Sequence, residues 1–209
     1  MSIFPTEPKK IQAAIMRYEK ALQTEKRRYG AVHDGGGIRY LLGPLYLLKG
    51  DLKGALRSFA WFDKTFPDDI GEPEQYLCWT LALYQAGSTQ KAADKLLQTA
   101  LMNLYLIPRL IGKEEPPLDM WLGSNMESSE YLQYIPPELW QLWDQAALDW
   151  AAEVYQSEQF QQIRARYIEI RRQLKHESVG PQRTALVQEA FAMRRLGLGD
   201  AAAHSPPES

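Results

Sequence analysis

Between Ile38 and Asp69 the chain runs IRYLLGPLYLLKGDLKGALRSFAWFDKTFPDD, with bulky apolar residues recurring every three or four positions on both sides of Gly50-Asp51. Steps of that size place side chains on one face of an α-helix, and so short a break turns two consecutive helices antiparallel. Small residues stand where the pair must approach closely (Gly43, Ala55), and large ones fill the gaps between (Leu42, Tyr46, Phe59, Phe62). Pro67 ends the second helix. A hairpin of this kind cannot bury its apolar surface alone, so neighbouring helices must cover it.

The remaining sequence supplies such helices. From Pro8 to Tyr29, residues Ile11, Ala14, Ile15, Tyr18 and Leu22 form one apolar stripe, and Lys26, Arg27 and Arg28 crowd the last turn. Cations there favour the negative end of the helix dipole. Gly30 and the run Asp34-Gly35-Gly36-Gly37 stop this helix. No run of alternating β-branched residues occurs, so strands are not expected. A second hairpin follows over 71–104, turning at Gly87. The stretch 105–135 is punctuated by Pro108, Gly112, Pro116, Pro117 and Gly123, yet Leu106, Ile107, Leu110 and Trp121 make it too apolar for a free linker. It is expected to pack back on the helices. Helices resume at Ser128–Tyr134 and from Pro136 to about Gln156, where Trp140, Trp143, Ala147, Trp150 and Val154 line one face. Two more are expected over 158–176 and 181–195, and the composition of 197–209 predicts a disordered tail.

The first hairpin resembles a tetratricopeptide repeat. Leu42-Gly43, Tyr46, Ala55, Phe59 and Pro67 stand in the register of that motif, with Arg39 at its leading aromatic position. The second hairpin follows the same register more loosely through Trp79, Leu83, Ala92 and Leu96. A further resemblance spans about residues 30–155, to a subgroup that includes suppressor-of-tumorigenicity-seven-like and bacterial proteins of poorly defined role. It rests on Asp34 followed by Gly37-Ile38-Arg39-Tyr40, on Asn103-Leu-Tyr105-Leu-Ile-Pro108-Arg-Leu-Ile-Gly112, on Glu130 with Tyr134, and on Ala147-Leu148-Asp149-Trp150. These resemblances imply an all-α fold, a tetratricopeptide-like α-α superhelix of antiparallel helical hairpins with an irregular Pro-rich packing segment. The expected layout is a single domain over 1–196. It comprises an amino-terminal helix (8–29), two repeats (36–67 and 71–104), the Pro-rich segment (105–135) and carboxy-terminal helices (136–196).

Composition narrows the function. No stretch reaches the about 20 uninterrupted apolar residues of a membrane span, and the amino terminus lacks the basic-then-apolar design of a signal peptide. The lone Cys78 excludes an intramolecular disulfide and suits a reducing, cytoplasmic setting. Three histidines (His33, His176, His204), far apart in sequence, argue against a metal centre, and neither metal nor cofactor is expected. Charge is segregated: residues 1–62 carry a net +6, residues 63–157 a net −10 and residues 158–195 a net +4. Opposite poles on a nearly neutral chain favour steering or self-association over wrapping a polyanion.

Candidate sites are few. His33-Asp34-Gly-Gly-Gly37 superficially resembles a phosphate cradle, but Asp34 would repel phosphate, and it suits a cap for the first repeat helix with Arg39 held by a carboxylate or by carbonyls. His33 and Cys78 lie in separate elements, and the pairs Asp68-Asp69 and Glu114-Glu115 belong to loops where solvation is expected, so no catalytic set forms and no enzyme is expected. Arg164, Arg171, Arg172 and Lys175 gather near one side of a helix as a basic patch, either a solvated face, a nucleic-acid contact, or a partner for the acidic midsection of another molecule. The tetratricopeptide resemblance implies a concave face carrying Tyr40, Leu47, Leu48, Leu77, Leu81, Tyr84 and Gln85, apolar and without a clamp for a terminal carboxylate. That face is either open to a partner or filled by 105–135. The expected function is a non-catalytic protein–protein interaction module, as adaptor, immunity-type inhibitor or secretion chaperone, for a protein partner the sequence does not identify. The alternative is a nucleic-acid-associated module using the basic carboxy-terminal helices.

Overall fold

A computed structural model of the chain describes residues 4–199, and among these every regular element is helical. The chain forms two compact units. The first takes in the residues through Ser88 together with Ile135–Asp144, and the second comprises Thr89–Tyr134 and the chain from Gln145 onward.

In the first unit, α1 (Pro8–Tyr29) begins on a proline, whose missing N–H costs nothing in a first turn, and buries Ile11, Ala14, Ile15 and Leu22. It ends at Gly30, whose φ of 75° lets its N–H return to the Lys26 carbonyl. Helices α2 (Ile38–Leu48) and α3 (Leu52–Thr65) form the expected hairpin, and Asp51 caps α3 by accepting the Gly54 N–H at 2.8 Å. Their close approach demands Gly43, because a Cβ there would overlap the Phe59 ring. That ring stacks on Trp79 of α4 (Pro73–Gln85) with centroids 5.4 Å apart. Phe59, Phe62, Leu45 and Ile15 are almost wholly buried in this core, each worth about 1.5–3 kcal/mol of transfer energy. The short helix α7 (Pro137–Trp140) adds Leu139 to the same core.

The second unit contains α5 (Thr89–Met102), α6 (Leu106–Leu110), α8 (Gln145–Gln156), α9 (Glu158–His176) and α10 (Pro181–Met193). The two helices of the expected second repeat, α4 and α5, therefore belong to different units. The helix expected from Pro136 to Gln156 is interrupted at Gln141–Asp144, where Trp143 N–H bonds back only three residues to Trp140. The expected helix at Ser128–Tyr134 is instead a pair of 3-10 turns, Asn125–Glu127 and Ser129–Tyr134. The buried Asn103 amide takes the Met126 and Ser128 carbonyls at 2.7 and 2.9 Å, occupying acceptors that an α-helix would use. The Pro-rich segment is ordered within this unit: Leu106, Ile107, Leu110 and Met120 are buried, and Trp121 N–H bonds the Arg171 carbonyl at 2.9 Å. Residues 197–199, expected to open a disordered tail, are instead held in place. Leu198 is buried, its N–H bonds Asp94 at 2.8 Å and its carbonyl accepts from Gln159, while the tail from 200 lies outside the described residues.

Candidate functional site

The seven residues expected on a concave face fare differently. Leu77 and Leu81 are 0% and 1% exposed and Leu47 is buried in the first unit's core, so none of the three offers surface to a partner. Tyr40 is half-buried and committed to a polar cluster. Leu48 and Tyr84 are half-buried and Gln85 is exposed. These last three sit at the carboxy-terminal ends of α2 and α4, helices that pack on one another. What remains accessible of the expected face is one end of it.

The polar cluster gathers at the opposite end of α2. Asp34, itself at φ 45°, accepts the Ile38 and Arg39 N–H groups at 2.9 and 2.7 Å, so its carboxylate occupies the anion seat at the helix start. The Asp34 N–H in turn donates to Glu25 of α1 at 3.0 Å. Arg39 donates through Nε to Asp69 (2.7 Å) and through Nη1 to the Asp34 carbonyl (2.8 Å), and lies over the Tyr40 and Phe66 rings. Tyr40 O–H donates to Asp69 at 2.7 Å, and Gly71 N–H does so at 2.9 Å. Burial works against the charge on Asp69, but Gly71, Tyr40 and Arg39 together hold its carboxyl below the usual carboxylate range. Burial followed by the Asp69 contact pushes the Tyr40 phenol up. Next to this cluster, burial and then the charge of Glu74 raise Glu72 to about 7.

The basic patch is not a single solvated face. Arg164 and Arg171 are buried, and three of its four cations meet carboxylates of the Pro-rich segment. Arg164 pairs with Glu115 at 2.8 Å, Lys175 with Asp119, and Arg171 with Glu127, while Arg172 is exposed. Glu127 also accepts from Arg194 and from Gly123 N–H. Arg171 further lies over Trp121 at 4.6 Å. Burial, then the nearby Arg194 charge, lowers Arg171 to about 10, which leaves it protonated at neutral pH. The segregated charge of the sequence is thus matched, in part, inside this unit. Loop carboxylates expected to be solvated divide accordingly: Asp68 and Glu114 are exposed, whereas Asp69 and Glu115 are held in ion pairs.

Cys78 is fully buried, and burial, then Glu74, raises its thiol pKa, the reverse of what a nucleophile needs. His33 is exposed and packs edge-on against Tyr29 at 6.1 Å. No group of His, Cys, Asp or Glu among the described residues is placed to hold a metal.

One feature of the first unit leaves little trace in the sequence. A cleft of about 330 Å³ opens between α1 and α3, with Leu22, Leu42 and Ser58 among its buried lining residues and Lys26 and Arg57 among its exposed ones. Its signal in the sequence is Ser58, a hydroxyl on the stripe Ala55, Phe59, Phe62 that is otherwise apolar.

Comparison of the chain with family models, with curated proteins and with solved structures gives no match.

Proposed function

We propose that the protein is a non-catalytic binding module for another protein, built on tetratricopeptide-like hairpins and acting as an adaptor, an immunity-type inhibitor or a secretion chaperone. The observation that carries this reading is the fate of the converging charges. Asp69 and Glu127 are each engaged by arginine and by a backbone N–H, in pairings that fasten irregular segments to helices. Groups saturated in this way are poorly suited to move protons or attack a substrate. Leu48 and Gln85, at the ends of α2 and α4, keep accessible surface, a mixed apolar and polar rim of the kind protein interfaces use.

The test is affinity purification of the tagged protein from its host, beside a variant carrying Leu48→Asp and Gln85→Lys. The expected result is a stoichiometric protein partner that the variant loses at least about tenfold, with helical content by circular dichroism unchanged. If the partner is a second copy, sedimentation of the purified protein shows a dimer that the variant dissociates. Absence of any stoichiometric partner, together with turnover on a substrate panel, would overturn the proposal.

A further inference from the structure

The cleft between α1 and α3 has the composition of a ligand site. Its size falls at the lower end of small-molecule pockets, about 300–1,000 Å³, and its exposed surface is mostly apolar, with Glu19, Gln23, Lys26, Arg57 and Ser58 supplying polar groups. Trp61 and Val32 are half-buried in it, over the buried Leu22 and Leu42. Ser58 is 8% exposed, and its hydroxyl has no hydrogen-bond partner among the described residues. Buried hydroxyls in folded proteins are nearly always paired, so this one is available to a group that enters the cleft.

Charge selects among possible occupants. Glu19 lies on the cleft, but its carboxylate accepts the Tyr46 hydroxyl, and burial followed by Glu19 lifts that phenol to about 12, so the proton stays in place. Lys26 on α1 and Arg57 on α3 are exposed, line the same cleft and make no ion pair among the described residues. Two uncommitted cations against one committed carboxylate favour an anion. An indole wall favours a flat ring.

We propose that this cleft binds a small aromatic carboxylate bearing a second polar group. The ring lies against Trp61, the carboxylate meets Lys26 and Arg57, and the second group pairs with Ser58. The site is independent of the protein-binding proposal, since Leu48 and Gln85 do not line it.

Titration with 6-hydroxy-2-naphthoate, followed by ligand fluorescence and by the Trp61 indole N–H resonance in NMR, tests the assignment. Two companions dissect it: 2-naphthol lacks the carboxylate and 2-naphthoate lacks the hydroxyl. Expected is saturable binding of 6-hydroxy-2-naphthoate that moves the Trp61 resonance, with 2-naphthol about tenfold weaker or more and 2-naphthoate also weaker. In a Lys26→Gln, Arg57→Gln double variant the advantage over 2-naphthol disappears. In Ser58→Ala the advantage over 2-naphthoate disappears. Both variants keep the fold, because the two cations are exposed and the serine hydroxyl is unpaired. No saturation at millimolar concentration, or affinities that neither variant changes, overturns the proposal.

Discussion

The two units secure their irregular segments with opposite charge arrangements. In the first, one guanidinium, Arg39, sits between two carboxylates, Asp34 and Asp69. In the second, one carboxylate, Glu127, sits between two guanidiniums, Arg171 and Arg194. Surroundings differ as well. The Arg39 and Asp69 side chains keep 18% and 16% of their surface, those of Arg171 and Glu127 only 5% and 9%. Water screens what it can reach, so the first cluster tolerates an imbalance that the second cannot. The central ion matters most in each case, because its loss leaves two like charges face to face.

The sharpest way to break this comparison is Glu127→Gln, which strands Arg171 and Arg194 together. The expected cost is about 3–5 kcal/mol in urea unfolding. The proposal of one domain over 1–196 further expects a single transition, and two separate ones would count against it. Arg39→Gln is expected to cost less, about 1–2 kcal/mol, because the bonds it loses are charge-assisted but partly wet. If it proves as damaging as Glu127→Gln, exposure is not what distinguishes the clusters.

Acidity sharpens the contrast inside the first unit. Asp69 is held below its ordinary range, so its contribution is present above the unfolded-state carboxyl pKa and is lost as pH falls through its folded value. Asp69→Asn should therefore flatten the acid limb of the stability profile, and an unchanged limb would remove Asp69 as its source. Glu72 has the opposite sign. Raised to about 7, it is penalised while ionised, so the penalty is absent below its unfolded-state pKa and complete above about 7. Glu72→Gln should stabilise the protein at pH 8 more than at pH 4; an equal effect at both would refute the assignment. The smallest effect belongs to Arg166→Ala, which removes an exposed pair with Glu189 and is expected to change stability by less than about 1 kcal/mol.

Much of the fold is legible locally. The stripe Ile11, Ala14, Ile15, Leu22 and the stops at Gly30 and Gly50 define α1 and the first hairpin, because periodicity and left-handed glycines act within a few residues. The cap by Asp34 and the need to pair Arg39 are equally local. That Asp69 is the partner is not, since it arrives only after a whole hairpin has folded back. The second unit shows the same limit. Helical spacing puts Arg164 and Arg171 on one side of α9, but nothing in that spacing says that Glu115 and Glu127 lie over them. The repeat register likewise names Leu77 and Leu81 without revealing that they are covered. Sequence pattern gives the face of a helix; which segment crosses it is decided by tertiary packing.

The contribution of Ile135–Asp144 to the first unit has a bearing on synthesis. A ribosome that has released residues through Ser88 has delivered α1 to α4 but not Leu139, whose side chain completes their core. Until the far side of the Pro-rich stretch emerges, the nascent hairpins lack that one apolar group. A chain truncated before that point therefore yields helices lacking Leu139 from their core.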